Sequence, residues 1–187
     1  MSGVLMKTGG HAHRALAVAV LASVLALGCA PSASAVGTEV LGSMQARIDG
    51  EAGTWETLRA PSEGTATAYY ISTGPAKTIS IQGHDPDAGS LMRNVLSLNL
   101  TVMGEGASAQ MLGDPSVGLY PEGLSGAFWQ ASAVDIEWDR LELGEDGGHA
   151  TGRFAATLCY QESTFSEPDT DNCRALEGEF DTPLQAD

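Results

Sequence analysis

The sequence predicts an all-β protein, an antiparallel β-sandwich or barrel of about eight strands. Short segments alternate apolar and polar residues with a period of two, which is typical of strands that bury one face. Turns rich in Gly and Pro separate these segments. Beyond the first 35 residues no segment of the sequence shows helical periodicity at length. Short strands joined by such turns favour a sandwich or a barrel.

The beginning of the chain has the pattern of a secretory signal and is set apart from the fold. Lys7 and Arg14 give it a positive start, and residues 15–27 form an apolar run interrupted by Ser23. This run is too short to span a bilayer, which requires about 20 residues. The pattern therefore predicts a signal peptide over residues 1–28.

Two cleavage sites compete at the end of this signal. Residues 26–29, Ala-Leu-Gly-Cys, resemble the lipobox of bacterial lipoproteins, in which the cysteine becomes the lipidated first residue. The resemblance implies lipidation of Cys29, and Ala30 in place of an Asp retention signal implies the outer membrane. The alternative is ordinary cleavage after Ala35, behind small residues, which would give a periplasmic or secreted protein.

The remaining chain has the length of a single domain. Residues 29–44 contain Gly and Ser and are expected to form a flexible tether, and residues 45–187 are expected to form one β domain. A chain of this size buries about 68–70% of its unfolded surface, which is enough for a hydrophobic core.

The charge of the exported part excludes several kinds of partner. Once Lys7 and Arg14 are removed with the signal, seven basic residues stand against 24 acidic ones, a net charge of −17. Nucleic acid and anionic membrane surfaces would be repelled. Contact with a membrane is therefore expected only through a lipid anchor, and the acidity itself is expected to serve solubility.

The predicted strands of the first half follow one another at short intervals. Residues 45–49 are the first candidate, and residues 65–72 and 77–82 have strand-like content. Residues 94–103 alternate most clearly. Their apolar side chains share one face: Leu96, Leu98, Leu100 and Val102.

The second half adds a bulge and a hairpin turn. Residues 127–143 alternate, but the apolar positions change parity between Trp138 and Leu141, which predicts a β-bulge near Asp139–Arg140. Residues 145–148, Glu-Asp-Gly-Gly, have the composition of a hairpin turn, because glycine supplies the positive φ that such turns need.

The last two strands carry a predicted cross-link. In residues 149–160 and 173–184 the bulky apolar side chains share one face, and Cys159 and Cys173 lie on the other, wetter faces. Residues directly opposite in an antiparallel pair point to the same side of the sheet. We therefore expect a disulfide between Cys159 and Cys173, worth about 3 kcal/mol through restriction of the unfolded chain.

No catalytic residue is predicted, and calcium is the one metal that the sequence suggests. Asp169 and Asp171 place oxygen ligands close together on an acidic loop, which suits Ca²⁺. The glycine and distal glutamate of the calcium-loop pattern are missing. A solvated acidic turn without any cofactor is the ordinary explanation. His84 and His149 are expected in loops or turns, away from any nucleophile motif.

Trp55 is the candidate ligand-binding residue. Gly53-Thr54-Trp55, near the start of an all-β domain, is similar to the Gly-x-Trp motif of lipocalins. This resemblance implies a barrel that carries a small apolar ligand, with Trp55 closing one end. The later Thr-Asp-Tyr motif of that family is absent. The alternative is that Trp55 is simply a core or rim aromatic.

A broader resemblance is to uncharacterised secreted bacterial lipoproteins with a single antiparallel, β-sandwich-like domain. It rests on the Cys29 signal, on residues 47–50 (Arg-Ile-Asp-Gly) followed by Trp55, and on the closing strands with Gly-Arg-Phe and Glu-Gly-Glu-Phe. That resemblance implies an extracytoplasmic location and a fold, but no activity.

The sequence therefore favours a non-enzymatic envelope protein that binds another envelope protein or a small ligand. A carrier of an apolar ligand and a Ca²⁺-dependent adhesive domain are the alternatives. An enclosed apolar cavity beneath Trp55 would favour the carrier. Converging oxygens at Asp169 and Asp171 would favour calcium. A filled interior and an exposed edge strand would favour the interaction module.

Overall fold

Strands make up nearly all of the regular structure. The computed structural model describes residues 37–187, so the predicted signal peptide, Cys29 and the cleavage site after Ala35 lie outside the described residues. Within them a 3-10 turn spans Gly106–Ser108, and no helix is long and apolar enough to cross a membrane. The strands are β1 (Glu39–Ile48), β2 (Glu51–Ala60), β3 (Thr65–Ala66), β4 (Ala68–Thr73), β5 (Ala76–His84), β6 (Val95–Met103), β7 (Gln110–Met111), β8 (Ser116–Tyr120), β9 (Phe128–Ala131), β10 (Val134–Leu143), β11 (Gly148–Gln161) and β12 (Asp169–Ala186).

The prediction of an all-β fold is confirmed, but the described chain has twelve strands instead of about eight. The whole of β2 was missed, because its glycine and polar residues resemble a series of turns. β3 and β7 have two residues each, too few to show alternation. Pairing with neighbouring strands, rather than local pattern, creates these elements.

The expected flexible tether over residues 29–44 was wrong at its C-terminal end. β1 begins at Glu39 and pairs with β2 on one side and with β12 on the other. Gly42, which suggested mobility, lies at a bulge where a side chain would collide with the backbone of Asp181. The glycine therefore permits a close approach of two strands.

The strands form a single sheet that pairs back on itself. Their hydrogen-bonded order is β10-β11-β9-β8-β6-β5-β4-β12-β1-β2-β3, with β7 beside β6. Further pairings of β11 with β12 and of β5 with β2 join distant parts of this order. The predicted antiparallel arrangement holds except for β12 and β4, which run parallel where Gln185 lies opposite Tyr69.

One hydrophobic core fills the space between the facing strands. It draws inward-pointing side chains from β1, β2, β4, β5, β6, β8, β9, β10, β11 and β12. Among its largest fully buried members are Tyr70, Phe180, Met44, Ile79 and Ile81. The Thr57 and Thr182 hydroxyls, also buried, satisfy each other at 2.7 Å. The alternating positions that the sequence assigned to the inner faces of β6, β11 and β12 are buried, except that Ala156, Tyr160 and Gly178 are half-buried.

The predicted bulge, hairpin and cross-link are all present in β10–β12. The register between β10 and β11 shifts between Trp138 and Arg140. The hairpin turn between them is closed by the Gly144 N–H, which donates to the Gly147 carbonyl at 2.9 Å. Cys159 lies directly opposite Cys173, and their sulfur atoms are 2.02 Å apart. The disulfide pairing predicted from the two faces is therefore confirmed.

Candidate functional site

An open cleft of about 510 Å³ lies at one end of the sheet and is here called the Trp55 cleft. Its walls come from the β1–β2 turn, the start of β6, the end of β8 and the start of β12. Apolar lining is provided by Ile48, Trp55 and Leu119. Charged lining is provided by Asp49, Glu51 and Arg174. Trp55 and Leu119 are almost fully buried, so the cleft exposes mainly polar surface beside the partly exposed Ile48. Small-molecule sites often occupy the open ends of β structures.

Trp55 is a core residue whose indole also borders this cleft. It is 3% exposed, and its Nε1 donates to the Asn94 carbonyl at 2.8 Å. The ring lies over Gly53 of its own strand, where a Cβ would come within 2.5 Å of it, and its Cβ lies against Gly83. The Gly-x-Trp spacing thus has a steric cause, because a side chain at residue 53 would displace the indole.

Two residues of the cleft have a left-handed backbone conformation, which residues other than glycine rarely adopt. Asp49 has φ 51° and Asn94 has φ 48°, and they are the non-glycine residues with positive φ in the described part of the chain. The Asp49 N–H donates to the Ala175 carbonyl, and the Ala175 N–H donates to the Asp49 carboxylate. The Asn94 N–H donates to the Pro121 carbonyl. The Asn94 amide also donates to Asp85 at 2.7 Å. Asp and Asn tolerate this conformation best, and such positions cluster at ligand sites.

Arg174 is the unusual charged residue of the cleft. Its guanidinium lies 4.1 Å from the centroid of the Trp129 ring, and Trp129 meets Tyr160 edge to face. Within residues 37–187 the Arg174 side chain makes no hydrogen bond or ion pair, although it is half-buried. In contrast, four other arginines pair with carboxylates: Arg59, Arg93, Arg140 and Arg153.

His84 is the last residue of β5, which leads toward this end of the molecule, whereas the sequence predicted His84 in a loop or turn. It is 7% exposed, and its Nδ1 donates to the Leu91 carbonyl at 2.6 Å. Its Nε2 is buried without a partner among the described residues. Burial lowers the pKa of His84, which keeps the ring neutral. His149 lies in β11, where its Nε2 contacts the Asp181 carboxylate at 2.6 Å.

The proposed calcium residues lie at the exposed start of β12. The Asp171 N–H donates to the Asp169 carboxylate at 3.1 Å, so one oxygen of that carboxylate already accepts a hydrogen bond from the backbone. Throughout residues 37–187 no group of three or more His, Cys, Asp or Glu side chains is arranged to hold a metal ion. Calcium binding at Asp169 and Asp171 stays a prediction that this geometry does not favour.

β10 offers a second surface of interest, an edge strand. It has ten residues and pairs only with β11 among the described strands. Asp135, Glu137 and Asp139 are exposed along it, and Glu137 pairs with Arg153 at 3.1 Å. Charged side chains on an edge discourage uncontrolled pairing with other strands.

Comparison with known proteins adds no relative: no family model matches the chain, and no curated protein or solved structure matches it. Of the cleft residues, sequence reasoning named Trp55 but missed Asp49, Asn94 and Arg174. Arg174 left a visible signal, since it has the same strand parity as the buried Leu176. A lone cation on the apolar face of a strand indicates a special position. The left-handed conformations left no comparable signal.

Proposed function

We propose that the protein is a non-enzymatic, extracytoplasmic binding module that takes a small ligand in the Trp55 cleft. The observation that carries the proposal is the rim of the cleft, where Asp49 and Asn94 are fixed in left-handed conformations. Backbone strain that the surrounding structure maintains is a frequent feature of ligand sites. A site prepared before the ligand arrives loses less entropy on binding.

The packing of the interior supports a surface cleft over an apolar-ligand carrier. Trp55 is held by Gly53, Gly83 and Asn94 and contributes to the single core cluster. The cleft is open to solvent, and charged side chains stand on its rim. A small ligand with polar groups fits these surroundings better than a wholly apolar one, because polar rim groups must keep hydrogen-bonding partners.

Two further observations support a location outside the cytoplasm. The Cys159–Cys173 disulfide is the kind of bond that persists in oxidising compartments. The lipobox-like segment ending at Cys29 supports an anchor in the outer membrane. Mass spectrometry of the mature N-terminus tests the anchor: an acylated Cys29 is expected, and a chain starting at Val36 would contradict it.

The binding proposal is tested by nuclear magnetic resonance of the mature protein. Defined probes are added one at a time at millimolar concentration: leucine, N-acetylglucosamine, octanoate and inorganic phosphate. At least one is expected to shift the backbone amide signals around Asp49, Asn94 and Arg174 while leaving those of β10 unchanged. If every probe leaves the cleft signals unchanged, or shifts only signals elsewhere, the proposal is wrong.

Strand addition at β10 is a second candidate function, favoured by its ten residues with a single strand neighbour. An extended partner could hydrogen-bond along the open side, and its basic side chains would complement Asp135 and Glu137. A peptide alternating Val and Lys is the probe, with a Val and Glu peptide as the control. Slowed amide hydrogen exchange in β10 with the basic peptide alone is expected, and equal protection or none would reject this function.

A further inference from the structure

On the basis of the proposed function, we infer that the Trp55 cleft recognises an amino-acid-like zwitterion. Its carboxylate would pair with Arg174, and its ammonium group with the carboxylates of Asp49 and Glu51. An apolar side chain on the ligand would lie against Ile48, which is partly exposed. These four side chains line one cleft.

The contact with Trp129 restrains Arg174 and leaves its donors free for an anion. The guanidinium carbon lies 4.1 Å from the centroid of the Trp129 ring, and the side chain makes no hydrogen bond within residues 37–187. A guanidinium presents its N–H donors as a planar fork. A carboxylate matches the donor fork of arginine with two parallel hydrogen bonds, which gives both strength and direction.

The lack of a carboxylate partner for Arg174 is informative because the protein is so acidic. The sequence has 24 acidic and nine basic residues, and Arg153, which is more exposed than Arg174, pairs with a carboxylate. Arg47, which lacks a carboxylate, donates instead to the Gly50 carbonyl. Partial burial makes an unpaired charge costly. A ligand carboxylate would satisfy the donors that the described part of the chain leaves unused.

The acidic side of the rim distinguishes a zwitterion from a simple anion. Asp49 and Glu51 line the same cleft as Arg174, so a ligand with only negative charge would be repelled by them. One oxygen of Asp49 accepts the Ala175 N–H at 2.9 Å, and its other oxygen makes no hydrogen bond within residues 37–187. When the ligand carboxylate pairs with Arg174, the ligand ammonium group would donate to that free oxygen of Asp49.

The decisive experiment compares the affinities of the mature protein for leucine and for two derivatives that each lack one of its charges. Leucine carries both charges, N-acetylleucine lacks the cation and leucinamide lacks the anion. Titrations followed by tryptophan fluorescence and by amide shifts around the cleft should show leucine binding most tightly. Loss of either charged group is expected to weaken binding about ten-fold or more, the usual effect of losing a hydrogen bond to a charged group.

Matched variants assign the charges to residues. Arg174→Gln should weaken leucine and N-acetylleucine about ten-fold but leave leucinamide unchanged, whereas Arg153→Gln, on the outer face, should change nothing. Glu51→Gln, at the exposed start of β2, should weaken leucine but not N-acetylleucine. Unfolding curves of each variant confirm that the fold is retained.

The outcomes separate this inference from the proposed function. If leucine binds no better than its two blocked forms, or if Arg174→Gln binds leucine as the wild type does, the zwitterion assignment is wrong. If leucine fails while N-acetylglucosamine, octanoate or phosphate shifts the cleft signals, the assignment fails and the binding function stands. If no probe acts at the cleft, both are wrong.

Discussion

The two ends of the sheet differ in how far the chain satisfies its own polar groups. At the end opposite the Trp55 cleft, a recess of about 380 Å³ is lined by Tyr70, Lys77, Gly144 and Asp187. There the Tyr70 hydroxyl donates to the Gly144 carbonyl. Lys77 donates to Ser72 at 3.1 Å and lies 5.1 Å from the centroid of the Tyr70 ring.

The cation at the Trp55 end is treated differently. Arg174 has an aromatic ring beneath it, as Lys77 does, but no hydrogen-bond acceptor within the described chain. Non-glycine residues with positive φ occur at this end, where they hold the β1–β2 turn and the start of β6. A cation whose donors are used within the chain serves stability, and one whose donors are left free is available to a ligand.

The largest effect is expected from Trp55→Ala at the cleft end. Removing a buried indole leaves a cavity beside Gly53 and Gly83, and the free energy of unfolding should fall by about 3–5 kcal/mol in chemical denaturation. Trp138→Ala is the control, since Trp138 is only partly buried, and it should cost less. A loss below that of the control would mean that Trp55 is not a structural support of the cleft.

The disulfide at the same end should have the next largest effect. Replacing Cys159 and Cys173 together by Ala frees a loop with a sequence separation of 14 residues. The unfolding free energy should fall by about 3 kcal/mol, because the unfolded chain regains entropy. Reductant should destabilise the wild type by the same amount and leave the double variant unchanged. A wild type insensitive to reductant would contradict this account.

Acid sensitivity near neutral pH should also come from the cleft end, through His84. Because burial places the pKa of folded His84 below its ordinary 6.5, the unfolded chain binds the proton first as the pH falls. The contribution of neutral His84 to stability should be fully present above the ordinary pKa of 6.5. Below it, the free energy of unfolding should decline by up to about 1.4 kcal/mol per pH unit. Unfolding curves from about pH 7.5 to about 5.5, one unit either side of the ordinary value, measure this slope.

Two variants decide whether His84 is responsible. His84→Asn keeps an N–H donor for Leu91 but does not titrate, so the slope should disappear. His149→Asn, at the opposite end, should retain it. The Asp181 carboxyl beside His149 has its pKa lowered, chiefly by the hydrogen bond from His149, so its contribution is lost only in more acidic solution, below its ordinary 3.8. An unchanged slope in His84→Asn would exclude His84.

The smallest effect is expected at the end opposite the Trp55 cleft, from Tyr70→Phe. Losing the hydroxyl leaves the Gly144 carbonyl without this donor and should cost about 1 kcal/mol in unfolding free energy. Tyr69→Phe, on the other face of β4, should stay within about 0.5 kcal/mol of the wild type. Equal losses in the two variants would show that the Tyr70 hydroxyl does not stabilise this end of the sheet.

Where the local pattern was regular, the sequence was a reliable guide. The alternation in β6, β11 and β12, the bulge after Trp138 and the opposition of Cys159 and Cys173 were all predicted correctly. Each depends on side-chain parity over a few neighbouring residues, which the sequence states directly. β1 was missed in part and β2 entirely, because Gly42 makes room for the backbone of Asp181 and Gly53 makes room for the Trp55 ring, and neither glycine forms a turn.

The sequence by itself determined an all-β chain, the inner and outer faces of its long strands, and the partner of each described cysteine. These follow from a period of two, which is a local property. Only the tertiary structure decided the strand order, the parallel pairing of β12 with β4, and the meeting of Asp49, Asn94 and Arg174 at one cleft. Those contacts join residues far apart in the chain, and core packing rather than any local preference selects them.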